Sequence, residues 1–239
     1  MNYFELHDLY NVAKIQYNPD FKEGDLIMGS QQKEVQDLSF HKIHTQIIKA
    51  SGKLHDFYRP SSNLSMRIIV SSRVRSLLES FRQENIRYYP CPVLRGKEMI
   101  KGYWITDKVV FDDDWVDFSR SEFFLRKRKL ISQENEPRAR YEVAEQITQY
   151  KDLEDFNRYL RENMWHMDER YPFKIFIKED CPHHILSIHT TGPSYLIVSK
   201  CLKNEIINQK MVKGIEFKLL EIPDEEWGGP NGIRKQFYN

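Results

Sequence analysis

Twice along this chain a short β-branched run ends in a serine and passes directly into a helical pattern. The first copy is Ile68-Ile69-Val70-Ser71 and the second is Leu196-Ile197-Val198-Ser199. β-Branched apolar runs of this length suit buried strands. After the first serine, Val74, Leu77, Leu78 and Phe81 recur at steps of three and four, which is one face of a helix. Leu202, Ile206 and the stem of Lys210 repeat that spacing in the second copy, and Ile86 matches Ile215 after one extra residue. Asn85 and Gly214 stand where a helix commonly stops in a left-handed turn. Ile215, Phe217 and Leu219 then alternate until Pro223 ends the strand. A repeated strand–helix–strand unit excludes both all-α and all-β architectures.

Each serine has two readings. A hydroxyl between strand and helix can be a nucleophile, but the strained elbow that exposes it needs flanking glycines, and neither Ser71 nor Ser199 has one. The favoured reading is an N-cap, whose oxygen accepts a hydrogen bond from a first-turn N–H and contributes about 1 kcal/mol.

Between the copies, Tyr103, Ile105, Val109 and Phe111 predict strands around a turn, followed by an acidic corner and a basic run. From Tyr141 to Met164, the residues Val143, Ile147, Leu153, Phe156, Leu160 and Met164 fall at near-helical steps. They predict two charged amphipathic helices, or one kinked helix. Phe173, Ile175 and Ile177 alternate as a strand, and a hairpin is expected around Gly192-Pro193. Nearer the start, "SFHKIHTQIIKASG" predicts a helix with Ser39 as its cap and Gly52 past its end. The expected class is α+β, with mixed sheets, an internal strand–helix–strand repeat and a charged helical insert. At 239 residues, with no Pro/Gly-rich linker, a single domain over 1–239 is favoured, its natural lobes being about 1–125 and 126–239.

The formal net charge is only +1, with 36 basic against 35 acidic residues, so no global field points to nucleic acid or to an anionic membrane. The three cysteines lack CxxC spacing and suit a reducing compartment. The opening "MNYFELHDLY" has neither a basic nor an apolar leader region, and no run approaches the ~18 apolar residues of a membrane span. The expectation is a cytoplasmic protein.

Several stretches could carry chemistry. "FDDDWVDF" places Asp112, Asp113, Asp114 and Asp117 around Trp115; carboxylates beside an aromatic can meet a basic cleft on a partner protein. The same acids could hold a hard cation, or form only a solvated turn with an Asp capping a helix that starts near Asp117 or Ser119. "RKRK" at Arg126 to Lys129 reads as a charged surface face. Cys181, His183, His184 and His189 offer one arm of a zinc site, with His41 and His44 as a conceivable second arm. Glu216 and Lys218 in "EFK" match half of a metal-dependent nuclease core, with Asp180 as the remaining acid. "WGGPNG" at Trp227 to Gly232 lies in a terminal tail. Phosphate-binding glycine loops, H-E-x-x-H and G-x-S-x-G do not occur. No catalytic, cofactor-binding or metal-binding residue is therefore assigned.

The Val-Ser phrases resemble an immunity-protein family of bacterial polymorphic toxin systems, once a domain of unknown function, whose type is a myxobacterial protein. The matching residues are Val70 to Arg73, Tyr88-Tyr89-Pro90, Gly102 to Ile105, Trp115 to Asp117 with Ser119 or Ser121, Phe173 to Ile177, and Ile197 to Phe217. The resemblance spans about residues 64 to 222. It implies a non-enzymatic protein that binds a cognate protein toxin and neutralises it by occlusion, without nucleic acid, membrane or cofactor. Asp112, Asp113, Asp114, Trp115 and Asp117 are then the candidate partner contacts. A metal-dependent hydrolase or nuclease is the alternative from another class. A homo-oligomeric interaction protein, pairing through the charged 126–164 helices, is a third.

Overall fold

The computed structural model describes residues 2–8, 15–16, 43, 45–49, 52–60, 67–132, 140–162, 169–189 and 196–238. The first elements are β1 (Tyr3–Asp8), β2 (Ile15–Gln16), β3 (Gln46–Ile48), β4 (Phe57–Tyr58), β5 (Ile69–Ser71) and α1 (Ser72–Phe81). There follow β6 (Ile86–Pro90), β7 (Val93–Arg95), β8 (Glu98–Ile100), β9 (Tyr103–Lys108), β10 (Glu122–Ser132) and β11 (Arg140–Thr148). The last are α2 (Leu153–Glu162), β12 (Glu169–Lys174), β13 (Ile185–Leu186), β14 (Leu196–Ser199), α3 (Lys200–Asn208), β15 (Ile215–Leu219), α4 (Asp224–Gly228) and α5 (Arg234–Phe237). The class is α+β.

The chain divides into two compact units. One comprises 1–111, 182–188 and 193–218; the other comprises 112–181, 189–192 and 219–239.

The first unit holds three four-stranded sheets, ordered β13-β14-β1-β15, β2-β3-β7-β8 and β4-β5-β9-β6. Both Val-Ser strands occupy inner positions of their sheets, and successive side chains of each are buried, so both faces are covered and both are apolar. Val70 and Ile69 are fully buried, as are Val198 and Ile197. α1 buries Val74, Leu77 and Leu78, and α3 buries Leu202 and Ile206. A core of Ile48, Tyr58, Ile69, Cys91, Val93, Tyr103 and Ile105 joins residues of the second and third sheets.

Several expectations fail here for identifiable reasons. The residues 46–48 form a strand rather than a helix, because Gln46 to Ile48 pair in parallel with Val93 to Arg95. Residues 39–42 lie outside the described set. Neither Asn85 nor Gly214 ends a helix directly: α1 stops at Phe81 with extended Arg82 as its cap, while the left-handed residue after α3 is Lys210, φ 57°. Gly214, φ 97°, instead turns the chain into β15, and Asn85 is buried with its Nδ2 toward the Ile185 carbonyl at 3.5 Å. β9 ends at Lys108, leaving Val110 and Phe111 exposed beyond it.

The second unit is built on a three-stranded antiparallel sheet, β11-β10-β12. The 141–148 stretch is therefore a strand, not a helix; Phe123 to Ser132 pair with Thr148 back to Arg140. Of the expected charged helices, 153–162 forms, and Met164 lies outside the described residues. One sheet face packs under α2 through aromatic rings, with Phe123 5.2 Å from Phe156 and 5.8 Å from Phe118, centroid to centroid. Tyr150 stands edge-on to Phe156 at 5.0 Å. The tail is packed: Trp227 is buried and stacks on Phe237 at 5.8 Å.

Candidate functional site

The acidic stretch lies in the second unit, where three hydrogen-bonding arrangements fix its backbone. Asp113–Trp115 form a 3-10 turn in which the Trp115 and Val116 amides donate to the Asp112 and Asp113 carbonyls, both at 3.0 Å. Val116 then bridges to Ile177, and the flanking bonds are Asp117 N to Phe176 O (2.8 Å) and Lys178 N to Trp115 O (2.9 Å). Ser121 adds a third support: its hydroxyl donates to the Asp117 carbonyl at 2.7 Å and accepts from the Phe176 amide at 3.0 Å. No helix begins at Asp117 or Ser119. The Asp117 carboxylate instead accepts the Ser119 hydroxyl at 2.7 Å and the Arg120 amide at 3.3 Å, an Asx-type turn.

This frame sorts the four carboxylates. Asp112 is buried, and Asp113 accepts the His189 amide at 3.2 Å. Asp114 is exposed, while Trp115 and Asp117 are half-buried. Asp114 and Asp117 line an open cavity of about 600 Å³ whose far wall is the start of α2. Asp152 caps that helix, accepting the Asp155 amide at 2.8 Å, while Asp155 accepts the Lys151 amide at 3.0 Å. The cavity carries both signs, since Glu154 and Asp152 face it together with Lys151, Arg161 and Lys178. Such a dish can seat a protein surface bearing cations and anions, and the hydroxyl in its lining is that of exposed Ser119.

The two Val-Ser hydroxyls are helix caps. Ser71 (φ −70°, ψ 162°) accepts the Val74 amide and Ser199 (φ −69°, ψ 162°) accepts the Leu202 amide. Their second partners differ. Ser71 Oγ donates to Asp56 at 2.7 Å, whereas Ser199 Oγ is 2.8 Å from His184 Nδ1. A serine–histidine contact invites a catalytic reading, but Ser199 has no solvent exposure and its oxygen already accepts the helix amide. The His184 ring stands edge-on to Phe81, centroids 5.3 Å apart.

The remaining candidates are placed as follows. His183 and His184 belong to the first unit and Cys181 and His189 to the second; His41 and His44 are outside the described residues. Among the described residues, no group of three or more His, Cys, Asp or Glu is arranged to hold a metal ion. Lys218 is buried and its Nζ lies 3.4 Å from Glu5 Oε2, which His7 Nε2 approaches to 2.6 Å; Glu216 is buried on the same strand. Arg126 of the basic run pairs with Glu145 at 2.8 Å across the β10–β11 hairpin. Burial pushes the Cys91 thiol up to about 12 and so suppresses its thiolate. Among the described residues, no helix is long and apolar enough to cross a membrane.

One feature escaped the sequence reading. Register places Ile147, Phe124 and Tyr171 side by side on the sheet face opposite α2, with Ile147 52% and Tyr171 44% exposed. The Phe124 and Tyr171 rings stack at 6.1 Å. Reading 141–148 as helix dispersed this row; a period-two count along β11 would have found it.

Comparison with protein-family models and with curated proteins yields no match for this chain.

Proposed function

We propose that this chain is a non-enzymatic immunity protein that binds a protein toxin and blocks it by occlusion. The reading is supported above all by the fixed Asp113–Trp115 turn, which holds exposed Asp114 and half-buried Trp115 on a bridged, hydrogen-bonded backbone beside an open, mixed-charge cavity. Preorganisation reduces the ordering cost of association, aromatic anchors supply most of the energy, and exposed carboxylates speed encounter with a basic surface. A specific complex of this kind buries about 1,600 Å² in total. Asp112 contributes from within, as a buried support, while Asp114, Trp115 and Asp117 supply the contacts.

The test is growth rescue in a bacterium expressing the toxin domain encoded beside this gene. The wild-type protein restores growth, and the Asp114→Lys/Trp115→Ala variant, folded by circular dichroism, restores it far less. Failure of the wild-type protein to rescue or to bind that toxin would overturn the proposal.

A further inference from the structure

β11 is the edge of its sheet. Among the described residues it pairs only with β10, and it runs nine residues, against a usual strand of about five or six. Glu142 through Ile147 are all exposed, Val143 at 50% and Ile147 at 52%, so side chains on both faces of the strand meet solvent. Natural sheets blunt such edges with charged side chains, above all lysine, with proline or with a bulge. The strand "RYEVAEQIT" has no proline and no lysine, its exposed charges are the carboxylates Glu142 and Glu145, and the register shift in the hairpin lies at its far end, between Leu130 and Ser132.

We propose that this edge is a homodimer interface, in which two copies of β11 pair antiparallel about a two-fold axis at Ala144. A dyad perpendicular to the sheet keeps each face continuous, so each residue opposes one of its own parity, and the interface is self-complementary. Centring on Ala144 is the only such register that pairs all nine residues. It sets Arg140 opposite Thr148, Tyr141 opposite Ile147, Glu142 opposite Gln146 and Val143 opposite Glu145, and no like charges meet. Centring on Glu142 or Glu145 would set a carboxylate against its own copy, which is destabilising. The Ala144 register extends the exposed row Tyr171–Phe124–Ile147 onto the second copy.

A second copy suits the edge better than a charged peptide from elsewhere. Within the hairpin, Glu145 already pairs with Arg126 at 2.8 Å. One of the two carboxylates on this edge is thus already matched within the hairpin, which weakens its pull on a basic peptide. The inference stands on the hairpin alone, independently of toxin binding.

Light scattering on the full chain tests it, with Ala144→Glu as the probe. The new carboxylate lies beside Lys127 in its own hairpin but against its copy across the axis. The parent forms a dimer, and the variant associates roughly tenfold more weakly or worse, while the two unfold at the same temperature at dilutions where both are monomeric. Cysteine placement reads the register directly. In a Cys201→Ser background, where Cys91 and Cys181 are buried, Ala144→Cys crosslinks on oxidation far more than Glu142→Cys. A parent that stays monomeric to its solubility limit, a dimer indifferent to Ala144→Glu, or equal crosslinking at 142 and 144 overturns the proposal.

Discussion

Lys108 shows how one residue can set a pH dependence. It is half-buried at the end of β9, and burial pushes its ammonium down to about 7, opposed in part by neighbouring Asp107. Asp107 is itself held by Arg67 at 3.0 Å. Unfolded, the lysine titrates near its ordinary value of about 10.4. Between about pH 7 and pH 10 the unfolded chain therefore binds more protons than the folded one, and the lysine's contribution to stability rises with pH across that window. Below pH 7 both states are charged and the desolvation penalty is fully felt. Lys108→Met should accordingly raise the melting temperature at pH 6, with the gain shrinking as pH approaches 10. A gain independent of pH would show that burial of the ammonium is not the cause.

Among the elements, the two capped helices share a start but differ in what surrounds it. Ser71→Ala removes the Val74 cap and a bond to Asp56, which is only half-buried. Its cost is about 1 kcal/mol. Ser199→Ala removes a fully buried hydroxyl and deprives both the Leu202 amide and His184 Nδ1 of that partner, so its cost lies nearer 2 kcal/mol. Urea denaturation of the two variants decides, and equal losses would contradict the ordering. These helices were legible because their apolar spacing and capping residues are local. β11 was not. Val143 and Ile147 are four residues apart, a step that fits a helix as well as one face of a strand, and pairing with β10 chose between them. β3 was misread for the same reason, since its partner β7 begins 47 residues later.

For the molecule as a whole, a link between residues far apart in sequence lies in the first unit. Glu5 on β1 and Lys218 on β15 are only 6% and 5% exposed, 213 residues apart in sequence, with His7 sharing the same carboxylate oxygen. Removing one member of a buried charge pair costs far more than removing both. Glu5→Gln is expected to destabilise the protein by on the order of 3 kcal/mol, and adding Lys218→Met should recover part of that loss. Strict additivity in a double-mutant cycle would mean that the pair is not coupled. "EFK" was legible only as a motif, whereas its lysine is placed as the partner of a residue near the start of the chain.

The sequence by itself determined the α+β class, the buried Val-Ser strands and the serine starts of α1 and α3, because each depends on residues within one or two helical turns. Tertiary structure alone decided that 140–148 is a strand, paired among the described residues only with β10. It also turned Asp112 inward and Asp114 outward, and brought Lys218 to Glu5. Those outcomes depend on which distant backbone supplies the hydrogen bonds and which side chains lose their water, and local spacing records neither.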